Sequence, residues 1–318
     1  MSLNVRLFES ADETAWDSFA RDSMQATLLH SRRFLSYHGE RFSDCSLIIE
    51  SDGACVGLFP AALSPAEKGC VVSHPGATYG GVVHQGVLRG TRMIEALTSV
   101  ADFYRVQGFS RLVYKSVPRI YHRTPAEDDL YALFRLGARR TRCDLSCAIN
   151  LRVQPVLAER RRRSLKKAKK HGVEVRDGTD QLSAFWKVLS DNLASRHHVA
   201  PVHTFDEIAL LANRFPDDIR CICGWLDGEV VAGVLHFITP TSHHAQYIAS
   251  NQKGHAASAL DLIFDCAIQA ARAEGKQWYD FGISNENHGV VLNDGLYRFK
   301  SEFGGGGAVH EFYELALA

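Results

Sequence analysis

Near its end the chain reads NDGLYRFKSEFGGGG, and the residue in it best suited to chemistry is Lys300. Leu296, Phe299 and Phe303 stand three and four apart, which predicts a short amphipathic helix over 296–303 with these side chains on one face. Lys300 lies beside that face, and Gly304 to Gly307 follow at once. Physics alone makes it a helix-edge lysine, its stem laid over Leu296 and Phe303 and its ammonium in water. Held against a partly dry aromatic wall, the same cation would act more strongly on a developing negative charge.

A second group is the stretch RRRRSLKKAKKHG. Arg160, Arg161, Arg162, Arg163, Lys166, Lys167, Lys169 and Lys170 place eight positive charges in eleven residues, with only Glu159 nearby. Leu157, Leu165 and Ala168 add a narrow apolar stripe, so 156–170 reads as a helix with one buried edge and a broad cationic face. Such a face suits phosphate: a tRNA acceptor stem, the diphosphate of a nucleotide sugar, or coenzyme A. A solvated helix whose charges do little is the plain alternative.

Three further clusters carry groups able to move protons or hold an acceptor. Arg196, His197 and His198, followed by Pro201, His203 and Thr204, could line an acceptor pocket, where a histidine takes the proton of an attacking ammonium. Their spacing lacks the i, i+4 pattern of metal ligands, and loop histidines without special duty fit equally. Asp280, Ser284, Asn285 and Glu286 follow the Trp278 strand; Glu286 is a candidate base, and Asp280 reads as structural. Tyr79, Gly80 and Gly81 permit close approach of backbone to a ligand, and Lys115, Arg119, Tyr121 and His122 are candidates to hold the acceptor. An ordinary glycine turn and surface loop explains them as well.

The elements that must position these residues come in two echoing sets. A length of 318 residues is about twice the usual ~150 of a domain. Ser46–Ser51 and Ala54–Leu63 flank Asp52-Gly53, while Cys221–Leu226 and Glu229–Ile238 flank Asp227-Gly228; both predict hairpins closed by two-residue turns. Each is followed by a Gly/His/Ser connection, a helix (Arg92–Gln107, then Ala257–Glu274), a terminating glycine (Gly108, Gly275) and an apolar strand. Further helices are expected over 12–22, 31–41, 126–136, 181–195 and 205–213. The repeat points to a duplicated α/β domain of mixed sheets, with first domain 1–152, second domain 153–307, and the final strand 308–317 a candidate to complete the first.

Composition narrows the class. The formal net charge is zero, so attraction to nucleic acid or membrane must come from a local patch such as 160–170. The eight cysteines form no CxxC pair and read as reduced and structural, so no metal is expected. No segment approaches ~20 uninterrupted apolar residues and no leader pattern opens the chain, which predicts a soluble, cytoplasmic protein.

Together, the meander–helix–strand unit occurring twice, TYGG at 78–81, the basic segment 160–172, YDFG at 279–282 and above all LNDGLYRFKSEFGG resemble the FemABX group of tandem GNAT N-acyltransferases. The resemblance spans nearly the whole chain and is carried most specifically by the last motif. It implies two GNAT-like domains in tandem and acyl transfer to an amine, possible acceptors including a cell-envelope precursor of peptidoglycan type. The donor implied is aminoacyl-tRNA or an acyl-CoA bound by the second half, with no tightly bound cofactor and the acceptor at the cleft between halves. By the same resemblance Lys300 stabilises negative charge on the intermediate or donor, Phe299 shapes the wall beside it, and Arg163 and Lys167 touch the donor or its tRNA. CoA-dependent GNAT enzymes cradle a pyrophosphate with R/Q-x-x-G-x-G/A, where this chain offers Asn251-x-x-Gly254-x-Ala256, helped by Lys253. Asparagine departs from that pattern. The coiled-coil arm of some members is absent, since no heptad run lies between Leu182 and Asn213. Acetyl-CoA-dependent acetylation of a small molecule, and a non-catalytic scaffold that docks RNA or nucleotide sugar, stand as alternatives.

Overall fold

A computed structural model describes residues 3–197 and 200–317, with the side chains of Arg196 and His197 excepted. In chain order the elements are β1 (Leu3–Leu7), α1 (Glu13–Asp22), α2 (Arg32–Leu35), β2 (Leu47–Ser51), β3 (Ala54–Phe59), β4 (Ala62–Leu63), β5 (Cys70–Val72), α3 (Thr91–Val106), β6 (Arg111–Lys115), α4 (Asp128–Arg135) and β7 (Arg139–Asn150). They continue as α5 (Glu159–Lys170), β8 (Glu174–Asp177), α6 (Leu182–His197), α7 (Phe205–Arg214), β9 (Ile219–Leu226), β10 (Glu229–Ile238), β11 (Ser242–Ser250), α8 (Gln252–Ala257), α9 (Ala259–Ala273) and β12 (Trp278–Ile283). The last are β13 (Asn285–Glu286), β14 (Val291–Leu292), α10 (Asp294–Ser301) and β15 (Gly306–Ala316). Two compact units result: 1–145 with 285–291 and 308–318, and 146–284 with 292–307.

In the first unit, β1, β2 and β3 form an antiparallel sheet. Asp52 and Gly53 both have positive φ, as the two-residue hairpin turn requires. A second sheet runs β4-β5-β6-β15, with β15 antiparallel to β6 through Phe312↔Lys115 and Leu315↔Leu112. The helix expected over 31–41 is α2 followed by a 3-10 segment over 36–41, which Gly39 kinks with a positive φ. Leu47, Phe59, Leu97, Val100, Tyr104 and Leu112 lie in the core.

β5 and β6 are parallel over three rungs, Cys70↔Arg111 to Val72↔Val113. The chain after β5 then folds back onto β6: Ser73 N–H donates to Val113 O at 2.9 Å, Lys115 N–H to Ser73 Oγ at 2.7 Å, and Gly80 N–H to Lys115 O at 3.0 Å. Gly80 is needed because a Cβ there would strike the Ser73 carbonyl, and at Gly81, with φ +84°, it would lie 2.7 Å from Tyr114 Oη.

The second unit carries the end of β7 and then, in order, β12, β11, β10, β9 and β8. β9 and β10 turn at Asp227-Gly228 with positive φ at both, as the sequence predicts. Ile263, Phe264, Ala267, Ile268 and Ala271 of α9 pack against Val231, Val234, Tyr279 and Phe281. The expected helix 257–274 is α9, and the short α8 precedes it, set apart by Ser258 in the left-handed conformation.

Behind Gly81, the Tyr114 hydroxyl accepts from Val82 N–H at 2.8 Å and donates to Asp129 Oδ2 at 2.7 Å. Burial pushes the Asp129 carboxyl up to about 6, against the hydrogen bonds from Tyr114 and Leu130 that favour its charged form. The native state therefore binds this proton more tightly than the unfolded chain, whose carboxyl titrates near 4. Its stabilising contribution is full below pH 4 and is lost as pH rises through about 6. In urea unfolding followed from pH 4 to 7, the stability of the wild type relative to Asp129→Asn is expected to fall by roughly 3 kcal/mol.

Candidate active site

In the second unit the parallel ladder between β11 and β12 is brief. It pairs Ser242–His244 with Trp278–Asp280 and ends there among the described residues, although β11 continues to Ser250. Immediately beyond the last rung β11 bulges, Leu235 pairing with Tyr247 and His236 with Ala245. The two strands thus splay, and a wedge opens at the carboxyl end of β12.

Lys300 reaches this wedge. It is only 2% exposed, and its ammonium donates to Gly282 O at 2.9 Å and Ile283 O at 2.7 Å. Burial pushes it down to about 8, with the charge of Asp280 acting in the opposite sense. Of the two readings of Lys300, the snorkelling one is excluded: Lys300 is on the buried face of α10, while Leu296, expected on that face, is 40% exposed. Phe303 is buried and Phe299 packs half-buried beside it.

Asp280 is fully buried beside the same strand end. Its carboxylate accepts from the Ser146 hydroxyl, from Gly282 N–H at 3.0 Å and from His244 Nδ1 at 2.7 Å. Gly282 has φ +76°, and a Cβ there would sit 3.3 Å from Ala245 O and 3.5 Å from His244 Cε1.

The position of α10 is set from α5. Arg161, 4% exposed, donates to Asp261 Oδ1 at 2.6 Å and Glu302 Oε2 at 3.0 Å, with its guanidinium 4.7 Å over Phe299 and 5.7 Å over Phe303. Ala158 N–H also donates to Glu302 O at 2.9 Å. After α10 the glycine run lets the chain pass close to its neighbours: a Cβ on Gly304 would lie 2.7 Å from Pro155 Cβ, and on Gly305 2.7 Å from Cys147 Sγ.

The other sequence-predicted residues distribute unevenly. Arg163 and Lys167 are exposed on α5, as a cationic face requires. Asn251 caps α8, its side chain accepting Gly254 N–H at 2.9 Å, so that amide is already engaged by the protein. A Cβ on Gly254 would press on Ser250 Oγ and the Val231 carbonyl, and Lys253 is exposed and paired with Glu229 at 2.8 Å. The segment in which the pyrophosphate pattern is partial is thus a capped helix start. His203 is buried, with Nδ1 2.6 Å from the Tyr247 hydroxyl. The side chains of Arg196 and His197, and all of His198, fall outside the described residues.

In the first unit Tyr79 is buried, donates to Thr27 Oγ1 at 3.1 Å and stacks on Tyr121 at 4.9 Å. The space beside Gly80 and Gly81 holds Ser73 and Tyr114, which corrects the expectation that these glycines admit a ligand. Glu286 is exposed in β13 of this unit, whereas Lys300 belongs to the second, so neither unit unites the two. Among the described residues no group of three or more His, Cys, Asp or Glu is placed to hold a metal, and no helix is long and apolar enough to cross a membrane.

Two residues that build this arrangement are not singled out by the sequence. Arg161 carries a legible signal, since it shares a helical face with Leu165 and Ala168. His244 carries none, because only strand pairing sets it beside Asp280.

This geometry, a helix-backed mixed sheet whose parallel strand pair splays at a bulge, is the GNAT fold. Residues 158–300 match the sequence model of the family described as Acetyltransferase (GNAT) domain. Among solved structures the chain is similar to FemX, with TM-score 0.70 at 12% identity, covering 98% of this chain and 97% of that one. It is also similar to L-PGS from Bacillus licheniformis (0.62, 13%, 97% and 92%) and to a tandem GNAT protein from the clavulanic acid biosynthesis pathway (0.55, 10%, 100% and 99%). No curated protein sequence matches. The chain therefore has a FemX-like tandem GNAT fold, two GNAT-like domains in succession.

If Arg161 fixes α10, Arg161→Met leaves the buried Asp261 carboxylate without its cation, while half-buried Glu302 keeps only its outer partners Arg298 and Arg160. It is expected to destabilise the protein by about 3–5 kcal/mol in urea unfolding. Lys167→Met, on the exposed face of the same helix, should stay within about 0.5 kcal/mol.

Proposed function

We propose that the protein is an N-acyltransferase that passes an aminoacyl or acyl group from an activated donor to an amine, with a cell-envelope precursor of peptidoglycan type among the acceptors to be tried. The observation that carries this reading is the buried Lys300 ammonium at the end of β12, where the parallel ladder stops. An ammonium has three N–H donors, and two are engaged by the Gly282 and Ile283 carbonyls. The third serves the oxyanion that forms when an amine attacks the donor's carbonyl, in a dry setting where such stabilisation is strongest.

Two observations favour an aminoacyl-tRNA donor over acyl-CoA. The exposed basic face of α5, including Arg163 and Lys167, suits a polyphosphate backbone. The start of α8, where CoA-dependent relatives hold a pyrophosphate, has its Gly254 N–H taken by Asn251. Tight calorimetric binding of acetyl-CoA would reverse that preference.

Lys300→Met is expected to lower transfer by ~10²–10³-fold while leaving the circular dichroism spectrum unchanged. In the wild type the rate should fall as pH rises through about 8, where Lys300 loses its charge. Wild-type turnover by the variant on an identified substrate pair would remove Lys300 from the mechanism.

Paired substitution Arg163→Glu and Lys167→Glu is expected to weaken tRNA binding and make the slope of log K against log salt shallower by roughly 2. Filter binding at several salt concentrations reads this directly; an unchanged slope assigns the phosphate contacts elsewhere.

A further inference from the structure

We infer that His244 is the base that takes the proton from the attacking amine, and that Asp280 holds it in the tautomer this requires. The inference deepens the acyl-transfer reading and rests on it. Asp280 is sealed from solvent and surrounded by donors: the Ser146 hydroxyl, Gly282 N–H at 3.0 Å and His244 Nδ1 at 2.7 Å. A carboxylate so placed accepts only, so Nδ1 of His244 carries a hydrogen, and in the neutral ring Nε2 carries the lone pair. Asp280 thus fixes both which nitrogen is basic and which way the ring faces.

Position agrees with this role. His244 and Asp280 form the last rung of the parallel ladder, at the point where β11 and β12 part and β11 bulges. Strand alternation sets them on one face of the sheet. Ala245 on one strand and Tyr279 and Phe281 on the other turn into the α9 core, so His244 and Asp280 turn away from it. The His244 side chain is 13% exposed while Asp280 is wholly buried, the arrangement of a base at a wedge and a positioning group behind it. Gly282 abuts the ring edge, and its own carbonyl and that of Ile283 hold Lys300. One strand end therefore positions a cation for the oxyanion and an imidazole for the proton. Glu286, the base expected from sequence, is exposed in the other unit.

The step balances. His244 Nε2 takes one proton from the acceptor ammonium, the freed amine nitrogen bonds to the donor's carbonyl carbon as the C=O π pair moves onto oxygen, and that nitrogen's second surplus proton passes to water. Collapse restores C=O and breaks the bond to the leaving oxygen or sulfur. The leaving atom takes the proton back from the imidazolium.

The test compares two acceptors with alanyl-tRNA and acetyl-CoA as donors: a peptide ending in a lysine amine, and hydroxylamine, which is already neutral and barely needs a base at pH 7. His244→Gln is expected to lower transfer to the lysine amine by ~10²–10⁴-fold and transfer to hydroxylamine, above its spontaneous rate, by less than about tenfold. Equal losses on both acceptors, or none, overturn the base assignment while leaving acyl transfer standing. Transfer by the wild type to neither acceptor overturns the acyl-transfer reading and the base with it. Independently of substrate, ¹⁵N–¹H correlation spectra of histidine-labelled protein should show His244 as the Nδ1–H tautomer, identified by its loss in His244→Gln, and Asp280→Asn should abolish that preference. An Nε2–H tautomer in the wild type overturns the proposal, and His244→Gln keeps the test intact if Asp280→Asn does not fold.

Discussion

A guanidinium withdrawn from water between two carboxylates and over two aromatic rings governs the second unit. Arg161 carries the ion pairs from α5 to Asp261 on α9 and to Glu302 at the end of α10. Desolvating such a charge costs several kcal/mol unless its partners are in place, so the three helices have one mutual arrangement that satisfies it. Phe299 and Phe303 lie under the guanidinium and against Phe264, which fixes the rotation of α10 about its axis. That rotation sends Lys300 inward and Leu296 outward.

The end of β12 is where the resulting order is used. The Gly282 and Ile283 carbonyls accept from the Lys300 ammonium, and the buried Asp280 carboxylate orients His244. The parallel ladder must stop for these groups to be reached, and it stops because β11 bulges and Gly282 leaves the extended conformation. Irregular backbone here is thus a requirement of the site.

Duplication of the fold has not duplicated this arrangement. The first unit also has a parallel pair of three rungs, β5 with β6, and also buries a lysine near its end. There the chain after β5 folds back against β6, and the Lys115 ammonium donates to the Ala77 and Pro75 carbonyls of that loop. Burial pushes Lys115 down to about 7. Tyr79, Gly80 and Gly81 belong to this inward packing, which is why a motif that reads as ligand-binding serves the fold.

The sequence by itself determined whatever depends on neighbours along the chain. Asp52-Gly53 and Asp227-Gly228 specified their hairpins through left-handed turn conformations, glycines marked the ends of α3 and α9, and the periodicity of 260–271 gave a buried helical face. The cationic face of α5 and the presence of a helix around Lys300 were equally legible. What a side chain meets across the molecule was not. Helical spacing says which residues share a face and leaves open what faces them, so spacing alone puts Lys300 on the rim and does not single out Arg161 among seven other cations. His244 and Asp280 lie far apart in sequence and become partners only through the register of two parallel strands. Tertiary structure alone decided these pairings, because satisfying buried charge requires groups from several elements at once, and no local pattern records which elements will supply them.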